Sequence, residues 1–170
     1  MANWYAVYTR PRNEKKVYEK LQEKGIETFL PLVKRTHQWK DRKKKVDMPL
    51  FNSYLFVKIE YKNRFSVLQT NGVVKIINFN GVPAVVPEWQ IDSLRRMITF
   101  PERIRLENYM RPGELVKVIN GPFEGMQGTI KHLKGEDRLV ISIDGILQSV
   151  SVDIDLVDVK KLNNEADNRQ

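Results

Sequence analysis

The side chains with the clearest chemistry in this sequence are the cations of one short segment. Residues 34–45, KRTHQWKDRKKK, hold seven Lys or Arg and one Asp, a net charge of +6. Such a density of positive charge attracts phosphates, and Trp39 within the segment can stack on a base. We expect a loop here, and the alternative to nucleic-acid binding is a flexible basic hairpin tip with only a weak, salt-dependent attraction for polyanions. The nucleic-acid-binding residues predicted here are Lys40, Arg42, Lys43 and Lys44.

Residue types that perform catalysis are sparse and scattered. The two histidines, His37 and His132, lie in different parts of the chain, and the sequence contains no Cys. Disulfides, thiolate catalysis and Cys-ligated zinc are therefore excluded. The serines and acids show no spacing that pairs a nucleophile with a base. We expect a protein that binds rather than an enzyme, with no metal and no cofactor.

The net charge of +8 is unevenly shared along the chain. Residues 1–111 hold 22 Lys or Arg against 11 Asp or Glu, whereas residues 112–170 hold 7 against 10. A polyanionic partner therefore belongs to the first part, and the acidic second part is expected to bind protein. The apolar runs are too short for a membrane span. No secretory signal is visible at the N-terminus, so we expect a cytoplasmic protein.

The basic segment lies within a predicted domain of alternating strands and helices, residues 1–100. The order predicts an α+β sandwich, with helices on one face of a mainly antiparallel sheet. Residues 99–111 lose this periodicity, and we expect a linker at 101–111. Aromatic and β-branched runs predict strands at 4–9, 26–30, 49–59 and 73–78, and helical spacing predicts helices at 13–24, 62–69 and 87–97.

Beyond the linker the pattern changes to five short β-rich runs separated by turn signals. They predict a small β-barrel over residues 112–162, followed by a polar, disordered tail at 163–170. Residues 121–130, GPFEGMQGTI, carry three glycines and a proline. Glycines allow the turns and bends of a tightly curved barrel. We expect Phe123 to close one end of it.

Two stretches of the sequence carry a resemblance to a known family. Residues 113–130, GELVKVINGPFEGMQGTI, resemble the KOW motif in the form found in NusG-family transcription factors. Residues 4–8, 49–51, 53–57 and 82–87 resemble the NusG N-terminal (NGN) domain at matching spacing. The resemblance covers about residues 3–161 and implies an NGN domain followed by an SH3-like KOW barrel. The KOW residues are Gly113, Gly121, Pro122, Phe123, Gly125 and Gly128.

The resemblance implies a monomeric transcription elongation factor that suppresses pausing and termination. Its NGN domain would bind the clamp helices of the largest RNA polymerase subunit. From the residues alone, Tyr54 and Phe56 share one face of a strand, and an apolar strip on a helix-free face predicts an interface. A packed aromatic core is the alternative. The polymerase-binding residues implied are Tyr8, Phe51, Tyr54, Phe56 and Phe79, with Arg64, Phe65 and Ser66 toward the opposite side of the cleft.

A second surface is implied to face the non-template DNA strand of the transcription bubble. Asn13, Lys16 and Lys20 recur at helical spacing and line one exposed helix face. Contact with single-stranded DNA needs positive charge along the backbone path and base stacking. A solvated helix face is the alternative. The residues implied are Arg10, Arg12, Asn13, Lys16, Lys20, Thr70 and Asn71.

Within the family, the chain looks more similar to the specialised RfaH and UpxY-type antiterminators of capsule-polysaccharide operons. The predicted partner-binding turn of the barrel is Ile143, Asp144, Gly145 and Ile146. Generalist NusG carries a bulky aromatic where this chain has Asp144, which argues against Rho and leaves a ribosomal protein open as partner. The alternatives are a housekeeping NusG, or an RNA-binding, ribosome-associated KOW protein whose barrel would carry the basic charge.

Overall fold

The computed structural model describes residues 1–162, and the tail predicted to be disordered, residues 163–170, lies outside the described residues. Three helices and fifteen strands are present in the described part. The helices are α1 (Glu14–Glu23), α2 (Arg64–Leu68) and α3 (Glu88–Met97). The strands are β1 (Asn3–Thr9), β2 (Glu27–Phe29), β3 (Leu32–Gln38), β4 (Lys43–Pro49), β5 (Tyr54–Ile59), β6 (Val73–Ile76), β7 (Asn78–Phe79), β8 (Val82–Pro83), β9 (Val85–Val86), β10 (Ile104–Asn108), β11 (Leu115–Val118), β12 (Gln127–Leu133), β13 (Glu136–Ile143), β14 (Gln148–Asp153) and β15 (Val159–Lys161).

An antiparallel sheet in the order β2-β5-β1-β6 forms the centre of the N-terminal domain, and β9 also pairs with β1. Alternate side chains of each strand point to opposite faces. Val7 and Leu55 lie on one face, where they are buried with Val17 and Leu21 of α1 and Val67 of α2. Helices α1 and α2 therefore cover this face. We call it the inner face.

The third helix packs on the other face of the sheet, so the expectation that all helices share one face is wrong. Ile91, Leu94 and Met97 of α3 are fully buried in one cluster with Trp4 and Phe56. The central strands are apolar on both faces, and such strands need cover on both. We call this second side the outer face.

The basic segment forms a two-stranded hairpin rather than a loop. Strands β3 and β4 pair only with each other. The single strand predicted at 49–59 is interrupted, because Ser53 adopts a left-handed conformation with φ of 66°. The Ser53 backbone N–H donates to the Glu14 carboxylate at 2.8 Å, which fixes this turn against the start of α1.

The barrel is a six-stranded antiparallel sheet in the order β10-β14-β13-β12-β11-β15. Strand β10 comes from the segment where we expect the linker, and it pairs with β14 over its whole length. The charges that disrupt its apolar pattern are paired. Arg103, just before the strand, donates to both carboxylate oxygens of Asp153 at 2.8 and 2.7 Å. Arg105 contacts Glu107 at 3.0 Å.

The glycine-rich segment serves the architecture of the barrel. Gly125 has a φ of 90°, a conformation that L side chains rarely adopt. Gly128 lies in β12, where an added Cβ would stand 2.8 Å from the Val140 carbonyl oxygen. Phe123 is buried, and its ring meets the edge of Phe100 at a centroid distance of 5.1 Å. Phe123 thus sits where the barrel meets the end of the N-terminal domain.

The barrel contacts the N-terminal domain chiefly along α3. The Gln90 side-chain amide donates to the Ser142 carbonyl at 3.1 Å, a buried bond. Arg96 donates to the Pro122 carbonyl at 2.7 Å. The buried apolar side chains of the outer face and of the barrel form one continuous cluster.

Candidate functional site

Two tyrosines lie side by side on the outer face. Tyr8 of β1 and Tyr54 of β5 are direct cross-strand partners, and their ring centroids are 5.4 Å apart. Both are partly exposed. Burial, followed by the neighbouring Tyr8, raises the pKa of Tyr54 above its ordinary value. The pair is a rigid, amphipathic aromatic surface of the kind enriched at protein interfaces.

Lys75 extends this surface and was not among the predicted site residues. It is the cross-strand partner of Tyr8 on β6, so it shares the outer face with the tyrosines, and it is exposed. Its place depends on the pairing of two strands separated by more than sixty residues. No local sequence pattern reports such a pairing.

The predicted apolar strip is only partly a surface, because the outer face is not free of helices. Phe56 and Phe51 are fully buried, and their rings meet at a centroid distance of 6.2 Å. Phe56 also stacks on Phe29 at 6.1 Å. These phenylalanines therefore support the tyrosine pair from the core and offer no surface of their own.

The other predicted polymerase-binding residues lie on a short hairpin and on α2. Phe79 is 52% exposed and stands opposite the exposed Val82 in the hairpin of β7 and β8. Phe65 of α2 is 58% exposed, and the Arg64 guanidinium lies 4.6 Å from its ring centroid. Since α2 packs on the inner face, Arg64, Phe65 and the exposed Ser66 are on the opposite side of the sheet from Tyr8 and Tyr54.

The predicted DNA-binding residues come together from two distant segments. The Arg10 backbone N–H donates to the Gly72 carbonyl at 2.8 Å, which ties the end of β1 to the turn before β6. Gly72 packs so closely on Val17 that an added Cβ would lie 2.7 Å from it. Exposed residues of both segments therefore border one surface, with Asn13 and Lys20 partly exposed beside them. The exposed members are Arg10, Arg12, Lys16 and Asn71.

Thr70 differs from the other predicted DNA-binding residues because it is buried. Its hydroxyl accepts from Lys24 Nζ at 2.8 Å and donates to the Ser66 carbonyl at 2.9 Å. Lys24 also donates to that carbonyl, at 2.9 Å. Thr70 thus shapes the end of α2 and offers no side-chain atom to a partner.

The basic hairpin places its predicted residues around its tip. Lys40 and Arg42 lie in the turn, which is closed by a backbone bond from Trp39 N–H to the Arg42 carbonyl at 2.7 Å. Lys43 and Lys44 begin β4. All four side chains are exposed. The hairpin is a concentrated, solvent-facing source of positive charge.

The predicted partner-binding turn of the barrel faces the N-terminal domain on one side and solvent on the other. Ile143 and Ile146 are buried, and an added Cβ at Gly145 would lie 3.4 Å from Ile77. The Asp144 carboxylate accepts a 2.7 Å hydrogen bond from the Tyr109 hydroxyl, which raises the pKa of Tyr109. Leu147, which follows the turn, is 65% exposed and was not predicted.

Residues 1–162 contain no cluster of His, Cys, Asp or Glu arranged to hold a metal ion. Across the same described residues, no helix has the length and apolar character needed to cross a membrane. Four surfaces of the described residues are the functional candidates: the tyrosine pair with Lys75, the surface around Arg10 and Lys16, the basic hairpin and the barrel turn.

Comparison with known proteins shows that the relatives of this chain are transcription factors. Residues 2–95 match the sequence profile described as "Transcription termination factor nusG", and residues 112–144 match the KOW motif. The chain is 24% identical to transcription termination/antitermination protein NusG of Rickettsia prowazekii, covering 93% of this chain and 89% of that protein. It is also 24% identical to the NusG protein of Pseudomonas aeruginosa, covering 94% and 98%.

A solved structure supports the fold. The chain aligns with that of Thermotoga maritima NusG with a TM-score of 0.51 and 23% identity, covering 96% of this chain and 98% of the other. The match to the NusG profile spans more than half of the chain, and the KOW match follows it in the family's order. This chain therefore belongs to the NusG family of transcription termination and antitermination factors.

Proposed function

We propose that this chain is an elongation factor that binds the clamp helices of the largest RNA polymerase subunit through its N-terminal domain and suppresses pausing and termination. The observation that carries the proposal is the partly exposed tyrosine pair. Tyr8 and Tyr54 stand on a sheet whose core holds Phe51 and Phe56 rigidly beneath them. Preorganised aromatic side chains bind partners at low entropic cost.

In this proposal, the non-template DNA strand binds the surface around Arg10 and Lys16. Its cations border the turn at Asn71, so phosphates and an unpaired base of the non-template strand can meet neighbouring groups. The domains are residues 1–100 and 112–162. The segment 101–111 joins them and contributes β10 to the barrel sheet.

An operon-specific role, as in the RfaH and UpxY-type antiterminators, is the finer part of the proposal. Its support is position 144 in the barrel turn. Generalist NusG has a bulky aromatic at this position, whereas this chain has Asp144, whose carboxylate accepts a hydrogen bond from Tyr109. A carboxylate there cannot fill an apolar pocket on a partner. Immobilised Rho should retain a generalist NusG and not this protein, and retention of both would favour the housekeeping role.

Co-elution with core RNA polymerase tests the main proposal. The Tyr8→Ala/Tyr54→Ala variant should bind at least about tenfold more weakly, as expected for aromatic anchors of an interface. Tyr109→Ala, which removes an exposed tyrosine from the segment that joins the two domains, is the matched control and should bind normally. Circular dichroism checks the folding of each variant.

Two results would contradict the proposal. Normal binding by the folded Tyr8→Ala/Tyr54→Ala variant would show that the tyrosine pair is not part of the polymerase interface. Failure of the wild-type protein to bind polymerase, even with a nucleic-acid scaffold that forms the bubble, would overturn the polymerase proposal. The RNA-binding or ribosome-associated alternative would then take its place.

A further inference from the structure

The two faces of the basic hairpin differ in composition. Residues that are direct partners in an antiparallel pair project to the same side. One side carries Lys34 opposite Asp47, Thr36 opposite Lys45 and Gln38 opposite Lys43. The other side carries Arg35 opposite Val46 and His37 opposite Lys44, and Trp39 and Arg42 continue it into the turn. We call the second side the aromatic face and the first the polar face.

The aromatic face combines cations with an ordered ring and contains no carboxylate. The imidazole of His37 meets Trp39 nearly edge-on, with centroids 4.9 Å apart and an interplanar angle of 70°. This contact fixes the orientation of Trp39 and leaves it 50% exposed. Arg35 and Lys44 flank the rings. The polar face has neither ring, and its Asp47 repels phosphate.

The hairpin holds this face away from the body of the protein. Val33 anchors its base in the core, whereas every β3 residue from Lys34 to Gln38 is exposed. The exposed part of the face, from Arg35 to Trp39, is about 13 Å long at the rise of a strand. That length matches a few nucleotides of an extended single strand, with phosphates along the cations.

We propose that the aromatic face of the hairpin binds single-stranded nucleic acid, with an unpaired base stacked on Trp39 and phosphates held by Arg35 and Lys44. A duplex keeps its bases stacked on each other and offers none to Trp39, so single strands are preferred. This inference deepens the nucleic-acid binding of the proposed function. It assigns a class of ligand, single-stranded nucleic acid, to the basic hairpin and identifies the aromatic face as the side that binds it.

Fluorescence anisotropy tests the inference with the full chain and no polymerase. The probes are labelled oligonucleotides of about 12 nucleotides: oligo-dT, oligo-U and a DNA duplex. The wild-type protein should bind a single strand more tightly than the duplex. Trp39→Ala should weaken single-strand binding about tenfold, the scale of one lost stacking interaction, whereas Trp39→Phe should keep most of the affinity.

Lys44 and Lys45 provide a matched pair of variants, because they are adjacent, equally charged and on opposite faces. Lys44→Ala should weaken single-strand binding more than Lys45→Ala and should lower the salt dependence by about 0.7 in the log–log slope. A preference for oligo-dT would identify DNA as the source of the strand, and a preference for oligo-U would identify RNA.

The inference is overturned if duplex and single strands bind equally, or if Lys44→Ala and Lys45→Ala are equivalent while Trp39→Ala has no effect. It is also overturned if only Arg10→Ala/Lys16→Ala reduces binding, because the strand would then sit on the other surface. These outcomes are independent of polymerase binding. A protein that binds oligonucleotides through Trp39 and fails to co-elute with polymerase would keep this inference and lose the proposed function.

Discussion

The central sheet of the N-terminal domain and the sheet of the barrel are both antiparallel and both bury apolar side chains, but the barrel also contains a buried polar network. In the N-terminal sheet, apolar side chains pack on both faces, with Phe56 fully buried between Phe29 and Phe51. In the barrel, a polar seam joins β10 to β13 and β14. Arg138 is 4% exposed, and it donates to Ser151 Oγ at 2.8 Å and to the Arg103 carbonyl at 2.9 Å.

The seam explains how a charged segment becomes part of the barrel. Glu107 of β10 accepts from the Ser151 hydroxyl at 2.8 Å and from Arg105 at 3.0 Å. Arg138 also contacts Glu136 at 2.8 Å. Apolar packing tolerates no such charges, whereas a polar network in which the charges are paired can fix one strand in one register. Both sheets depend on apolar packing, and the barrel adds a largely paired network in which, among the described residues, Arg105 Nη2 is buried without a hydrogen-bond partner.

The largest effect is expected from the apolar sheet. Phe56→Ala should lower the free energy of unfolding by about 4 kcal/mol, because it leaves a cavity beneath Tyr54. Phe79→Ala removes the same ring from an exposed position and is the matched control. Chemical denaturation measures both. Equal, small losses for the two variants would show that Phe56 is not packed as described.

A smaller loss is expected from the polar seam. Arg138→Met should cost about 2 to 3 kcal/mol, less than a fully buried pair, because Glu136 is partly solvated and Glu107 keeps Arg105. Lys62→Met, which disrupts the exposed contact with Glu60, should leave the unfolding midpoint unchanged. If the two variants had the same effect in denaturation, the seam would contribute no more than a surface pair.

The smallest effect concerns pH. Hydrogen bonds from Arg103, opposed by burial, lower the pKa of Asp153 below its ordinary value of 3.8. A lowered carboxyl pKa stabilises the fold above the unfolded pKa, and this contribution disappears as pH falls through the folded pKa. The stability difference between wild type and Asp153→Asn should therefore be constant above about pH 5 and should shrink as the pH falls from there, through the ordinary value of 3.8, toward about pH 2. A difference that stayed constant as the pH fell through this range would mean that the ion pair does not stabilise the barrel.

Much of this molecule could be predicted from local pattern. The α+β domain followed by a small barrel is confirmed, as is the NusG-family resemblance. The expectation of a non-enzyme is confirmed by membership of a family of transcription factors. Helix periodicity located α1 and α3 within one residue or so at each end, because amphipathic spacing and terminal Gly or Pro are encoded within ten residues.

Errors arose where a charged segment acquired regular structure by pairing. The predicted basic loop is the hairpin of β3 and β4, whose strands satisfy each other's backbone groups without a buried face. Strand β10 lies in the segment where periodicity is lost, because Arg105 pairs with Glu107 of the same strand and with Glu136 of β13. A hydrophobic pattern does not predict strands that are stabilised by ion pairs rather than by the burial of an apolar face. The domain boundaries and the site residues stay predictions.

The sequence by itself determined which side chains are available for binding. Its cations are concentrated before residue 112, aromatic residues recur at alternating positions of a strand, and it contains no cysteine and no catalytic constellation. Folding determined which of those side chains are exposed. It buried Phe56 and Thr70, left Tyr8 and Tyr54 at the surface, added Lys75 beside them and put Trp39 and Lys44 on one side of a hairpin. Exposure and cross-strand neighbours depend on pairings between distant segments, which no local pattern contains.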